Sequence, residues 1–336
     1  MTKRSKMTPA VAEVRRLLRV SLEQHGVKAN DLVLVACSGG ADSLALAAAL
    51  AFEGPKLHLR IGAVIVDHGI QPETAKVAKE TATQLAELGF ALVEIVTVQV
   101  GSEGGLEAAA RSARYEAIDE VAAAVDAKFV LLAHTLGDQA ETVLLGLARG
   151  SGARSLSGMA ELTGRYLRPL LSLTRSQTVE VCEATELKIW HDPHNTQERF
   201  SRVRVRENVL PVLEHELGPG IAESLARTAD QLREDADALD ELAVAAFDEI
   251  GRTLATAVEL SISGLEKLPV ALRYRVIRIG GKALDAHFHR GHVLEIDRLV
   301  TNWHGQKPLA VPGVRVERTG ENIVLKSTKT LKPGAC

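Results

Sequence analysis

The chain has 336 residues, 46% of them apolar and 25% charged, which suits two soluble globular domains and excludes a disordered, collagenous or disulfide-stapled chain. With 40 Lys and Arg against 43 Asp and Glu the formal charge is only -3, so any nucleic-acid contact has to be a local patch. Aromatics at 3% argue against a surface that holds single strands mainly by stacking. Cys37, Cys182 and Cys336 lie far apart and form no CxxC, which argues against a Cys-rich zinc site, an iron–sulfur cluster or a disulfide framework and fits a reducing cytoplasm. The longest strongly apolar run, 44–52, falls far short of the roughly 20 residues of a membrane span, so no membrane contact is expected.

Thr8-Pro9 starts an amphipathic helix whose apolar face is Val11, Val14, Leu17, Leu18 and Leu22. Short β-branched runs at 32–37, 59–66, 91–98 and 128–133 then alternate with helical stretches at 42–53, 72–88, 105–125 and 137–148. Continuous apolar runs predict parallel strands buried on both faces, and fourfold alternation predicts a doubly wound α/β domain. Helices are expected at 174–187 and 199–213. One long helix over 220–250 carries Leu225, Ala229, Leu232, Ala236, Leu239, Ala243, Ala246 and Ile250 as a seam, suited to packing on its own chain or to a homodimer. A small α+β domain follows, with helices at 269–281 and 291–303 and a hairpin turning at Thr319-Gly320. The expected division is an N-terminal domain over 1–214, a connecting helix over 215–254 and a C-terminal domain over 255–336.

In a doubly wound sheet the ligand lies outside the carboxyl ends of the strands. Those ends carry Cys37 to Ser43, Asp67-His68-Gly69, the 101–105 turn and His134 to Asp138. Between a strand and a helix, Ser38-Gly39-Gly40-Ala41-Asp42-Ser43 offers a tight turn, free helix-start N–H groups for phosphate, two hydroxyls, and a carboxylate for Mg2+ at Asp42. No GxxxxGK[ST] or GxGxxG is present at this loop, which excludes a Walker-type or dinucleotide site.

Strand-SGGxDS-helix resembles the pyrophosphate-binding loop of the N-type ATP pyrophosphatases, and within them the chain resembles the tRNA(Ile)-lysidine synthases over most of its length. The resemblance runs through Val66-Asp67-His68-Gly69-Ile70, Glu107 with Arg111 to Tyr115, and Ala133-His134-Thr135-Leu136-Gly137-Asp138-Gln139-Ala140-Glu141-Thr142. It continues in Arg149 to Gly152, Arg168 to Leu171, and Trp190 to Asn195 followed by Arg202, Arg204 and Arg206. Thr135, Gly137 and His194 stand where the family has His, Asp and Ser.

The resemblance implies two steps on an isoleucine tRNA with a CAU anticodon: ATP adenylates the C2 carbonyl oxygen of the wobble cytidine, and free L-lysine then attacks C2 and expels AMP. It implies ATP contacts from Ser38 to Ser43, Val66 and His68, and catalytic roles for Asp42, Arg114, His134, Asp138 and Glu141. His134, Asp138 and Glu141, spaced by four and three, share one helical face or its entrance. Arg111, Arg202, Arg204 and Arg206, with Arg273 and Arg275 of the last domain, are the candidate tRNA contacts. The rivals are a tRNA thiolase of the same superfamily, a small-molecule amidoligase and a non-catalytic nucleotide-binding module. His287, His289 and His292 also spell HxHxxH, though RNA contact or chance suits them better than a metal.

Overall fold

The computed structural model describes residues 6–67, 69, 74–98, 106–150, 152–192 and 199–328. His68, the 101–105 turn, Ser151, His194, Asn195 and the side chain of Glu107 lie outside the described residues. The chain forms two compact units, Met1–Leu232 and Arg233–Cys336, dividing within a long helix.

The first unit opens with α1 (Pro9–Gln24), where Thr8 caps the helix by accepting from the Val11 N–H at 3.3 Å. It alternates through β1 (Leu32–Ala36), α2 (Ala41–Glu53), β2 (Arg60–Asp67), α3 (Thr74–Glu87), β3 (Leu92–Thr97), α4 (Leu106–Ala124), β4 (Phe129–Leu131) and α5 (Leu136–Ala148). After α6 (Ala153–Leu156) come the two-residue strands β5 (Leu162–Thr163) and β6 (Tyr166–Leu167), then α7 (Arg175–Ala184) and α8 (Ser201–Arg204). A π-helical turn, Val205–Val209, leads into α9 (Leu210–Leu217) and α10 (Ile221–Ile250).

The sheet order is β3-β2-β1-β4-β6-β5, parallel except for β5 against β6. The order of strand addition reverses at β1, with β2 and β3 laid down on one side and β4 on the other, so the gap between the carboxyl ends of β1 and β4 is the switch point where such sheets bind ligands. β1 is buried because helices cover both faces. Val33 and Val35 pack with Leu18, Leu44 and Val181 on one side, and Leu32 and Leu34 with Ile118 and Ala122 on the other. The expectation of strands buried on both faces fails at β3, an edge strand in which Glu94, Ile95 and Thr97 are exposed. An apolar run does not show whether a strand has one neighbour or two.

The second unit carries β7 (Gly251–Thr253), β8 (Ala257–Ser261), α11 (Ile262–Lys267), α12 (Val270–Lys282), α13 (Arg290–Thr301), β9 (Leu309–Val311), β10 (Val314–Thr319) and β11 (Asn322–Ser327). Its antiparallel sheet, ordered β7-β8-β11-β10-β9, shares a core with α12 and α13 through Leu260, Val276, Ile277, Ile296, Val316 and Leu325. Ala243, Ala246 and Ile250 of the α10 seam pack into the same core, so this half of the seam serves its own chain.

Two features of this unit revise the basic cluster read from the sequence. Arg273 is not a surface cation: it is 8% exposed, its Nε donates to Asp297 Oδ1 at 2.5 Å, and its Nη1 donates to the Leu268 carbonyl. Arg275 is paired with Asp240 at 2.7 Å. His289 accepts from the His292 N–H and caps α13, and among the described residues no group of three or more His, Cys, Asp or Glu gathers to hold a metal. Removing one member of a buried ion pair leaves the other charge uncompensated, typically at a cost of about 3 to 5 kcal/mol. Asp297→Ala should therefore destabilise the second unit by that order in urea unfolding; a loss below about 1 kcal/mol would return Arg273 to the pool of free cations.

Candidate active site

At the carboxyl end of β1 the chain turns on Gly39, whose φ of +81° suits glycine and whose added Cβ would lie 2.6 Å from Thr81 Oγ1. The Gly39 carbonyl accepts from the Trp190 N–H at 2.9 Å, tying the turn to the segment after α7. Ser43 organises the loop from within. Its buried hydroxyl donates to the Gly40 carbonyl at 3.0 Å and accepts from the Ser38 N–H at 3.2 Å, while Ser38 itself is exposed. Of the two hydroxyls expected to meet phosphate, Ser38 is the one presented outward. Ala41 and Asp42 lie in the first turn of α2, where N–H groups and the helix dipole favour an anion.

Asp42 is half-buried and held from α7. Thr178, fully buried, donates its hydroxyl to Asp42 Oδ1 at 2.5 Å, and Arg175 Nη1 donates to Oδ2 at 3.2 Å. The sequence reading missed both α7 residues. A signal existed: Arg175 opens a helix behind a Thr174/Gln177 capping box, where the dipole disfavours a cation, so a carboxylate elsewhere is needed to explain it. Burial pushes the Asp42 carboxyl above its ordinary range; Thr178 and Arg175 oppose the rise, and the nearby Asp138 adds to it.

Asp138 and Glu141 come from the first turns of α5. Thr135 caps this helix, and Asp138 Oδ2 accepts from the Thr135 N–H at 2.8 Å. Arg206, from the π-helical turn, bridges the pair: Nε donates to Glu141 Oε1 at 2.6 Å and Nη2 to Asp138 Oδ1 at 3.3 Å. The Glu141 side chain is wholly buried, and its Oε2 has no hydrogen-bond partner. Burial raises the Glu141 carboxyl against the pull of Arg206. Expected as a tRNA contact, Arg206 instead holds two of the expected catalytic carboxylates.

These groups line one cavity of about 530 Å³, within the range of small-ligand and nucleotide sites. Ser38, Gly40, Asp42, Ser43, Val66, Arg111, Arg114, His134, Asp138, Glu141, Arg202 and Arg206 all line it, as does Asp67, whose carboxylate accepts from the Gly69 N–H. Arg111 and Arg114 lie beside Tyr115, and Arg111 and Arg202 add like charge around Arg114. Arg204 is exposed and donates to the Arg199 carbonyl, outside the cavity lining. The cavity lining thus carries both carboxylates and arginines.

Residues 10–213 match the PP-loop domain family, and residues 260–322 match the TilS substrate binding domain. A tRNA(Ile)-lysidine synthase of Leifsonia xyli is 53% identical over 88% of this chain and 89% of the relative; one of Thermobifida fusca is 51% identical over 95% and 98%. The chain belongs to the tRNA(Ile)-lysidine synthase family. The fold also resembles that of a U34-tRNA thiolase from Methanococcus maripaludis, with a TM-score of 0.56 and 21% identity over 67% of this chain and 80% of the other. Among the described residues no helix is long and apolar enough to cross a membrane.

In this member of the family the residue at the end of β4 has a perturbed titration. Burial lowers His134 from 6.5 to about 4, with Arg168, Arg111 and Arg114 pushing the same way and Asp138 opposing them; its Nδ1 is buried without a partner. Between pH 6.5 and 4 the unfolded chain takes up a proton that the folded chain does not, so stability falls as the pH drops through this window. The loss can reach about 3 kcal/mol at 1.36 kcal/mol per pKa unit. His134→Asn should flatten that part of the stability-against-pH curve of the first unit; an unchanged slope would show that His134 titrates normally.

Proposed function

We propose that the chain uses the Ser38–Ser43 loop to take pyrophosphate from ATP as the wobble cytidine of a CAU-anticodon isoleucine tRNA is adenylated, and then ligates free L-lysine at C2. What carries this reading is the convergence on one cavity of the phosphate loop, the His134/Asp138/Glu141 helix and the Arg111/Arg114/Arg202 cluster.

In the first step the C2 carbonyl oxygen attacks the α-phosphorus and pyrophosphate leaves. Charge grows on the leaving group, and the loop N–H groups, Ser38 and Arg114 stabilise it. The donor chemistry at Asp42 suits Mg2+, which takes one or two carboxylates and fills its remaining positions with phosphate oxygen and water. When bound it would supply further charge neutralisation to the triphosphate. In the second step the lysine ε-amine attacks C2, AMP departs, and the amine's proton must leave. The amine has to be neutral to react. Asp138 and Glu141 hold lysine's remaining ammonium, while His134, neutral at pH 7 and on the lining of the same cavity, is the candidate to take the amine's proton. Arg202 and Arg204, with the exposed cations of the second unit, guide the tRNA backbone. The two cysteines among the described residues give no support to thiol transfer: Cys37 and Cys182 are buried, and burial raises both thiols, that of Cys182 to about 12.

Ser38→Ala and Asp42→Ala should each lower tRNA-dependent AMP formation by about 100-fold to 1000-fold with little change in fold, because neither side chain belongs to the hydrophobic core. Near-normal pyrophosphate release would remove the loop from the reaction. Asp138→Asn keeps the shape of the α5 cap and removes charge, a contact worth roughly 1.5 to 3 kcal/mol. It should leave pyrophosphate release largely intact and raise the lysine requirement about 10-fold to 100-fold. Loss of pyrophosphate release at an unchanged lysine requirement would instead assign Asp138 to the metal–triphosphate step.

A further inference from the structure

The carboxylate pair assigned to lysine is already occupied. Arg206 lies on it with two donors, one to each carboxylate, and covers a Glu141 side chain that solvent does not reach. Yet the pairing leaves Glu141 unsatisfied, since its buried Oε2 has no hydrogen-bond partner. A guanidinium fixed there permanently would compete with an ammonium group for both acids, of which Asp138 keeps some exposure and Glu141 none. The Arg206 side chain is itself about one-third exposed and springs from a π-helical turn, a segment type that recurs at functional sites. The Asp42 carboxylate on the phosphate loop also acts on Arg206, and the two residues line the same cavity.

We propose that Arg206 is an internal substitute for the substrate ammonium: it fills the Asp138/Glu141 site in the empty protein, and lysine binds by displacing it towards the triphosphate. The inference rests on the lysine site proposed above. It makes the two substrates interdependent. A bound triphosphate offers Arg206 a second anionic partner and so vacates the carboxylates, while a protein with Arg206 in place binds lysine more weakly by the fraction of time the site is open. By linkage, lysine must strengthen nucleotide binding by the same factor. A neutral amino acid gains nothing from the exposed acids and cannot displace the arginine.

Calorimetric titration of L-lysine into the full chain at pH 7.5, with and without α,β-methylene-ATP and Mg2+, tests this. In the wild type the nucleotide analogue should tighten lysine binding about tenfold or more, within the usual span of coupling between sites. In Arg206→Gln, lysine should bind at least about tenfold tighter than to the wild type without the analogue, and the analogue should add little. Glu141→Gln should weaken lysine binding in every state. If Arg206→Gln binds lysine no better than the wild type while Glu141→Gln weakens it, Arg206 is a fixed orienting partner and the inference fails. If Glu141→Gln leaves lysine binding unchanged, the lysine site itself is misplaced. The wild-type measurement needs no variant to fold, and absence of coupling there overturns the proposal alone.

Discussion

Carboxylates packed into a half-buried cavity raise one another's proton affinity and lose hydration, so they stay ionised only where cations are held against them. Asp42 and Glu141 are two such groups, and much of the first unit's local architecture near the switch point answers to that constraint. Arg175 stands at the start of α7, where its own helix dipole opposes it, because Asp42 needs it. Arg206 reaches in from a π-helical turn to meet Asp138 and Glu141. The arrangement sets cations against the acids before any ligand arrives, and Arg111, Arg114 and Arg202, which crowd one another, add positive charge to attract a polyanion.

The same constraint explains why the site straddles so much of the sequence. The loop after β1 supplies rigid N–H groups, and rigidity there depends on Ser43 bonding inward and on Gly39 passing so near Thr81 that any side chain would collide. α5 supplies two acids one turn apart, with Asp138 fixed by its own helix cap. α7 and the segment through Arg206 supply the opposing charges.

What the sequence made legible follows from local physics. β1, β2 and β4 were visible because buried β-branched runs have few other uses, and the Ser38–Ser43 loop because two adjacent glycines between strand and helix imply a close approach. The hairpin of β10 and β11 was visible from Thr319-Gly320, where Gly320 does take a positive φ. The two-residue strands β5 and β6 were not, since they are too short to carry a period of two. Arg206 and Arg273 were both misread for one reason: a cation's partner is set by tertiary structure, and Glu141 is 65 positions from Arg206 while Asp297 is 24 from Arg273. Sequence spacing reports which residues share a helix face, but not which face is inside.

Gly137 shows how far charge balance governs this member of the family. A Cβ added there would meet nothing closer than Thr135 Oγ1 at 3.9 Å, so the residue is not small for want of space. Its effect is electrostatic. A carboxylate at 137 would sit in the first turn of α5 beside Asp138, favoured by the helix dipole but adding a further negative charge to acids that share Arg175 and Arg206. Without it, Asp138 and Glu141 remain the two acids that the one guanidinium of Arg206 bridges, so an incoming ammonium group meets the same two carboxylates and no third beside them on this turn. On the proposed reading that is the condition under which lysine and an internal arginine can compete on nearly equal terms, because each brings a single positive charge to the same pair of carboxylates.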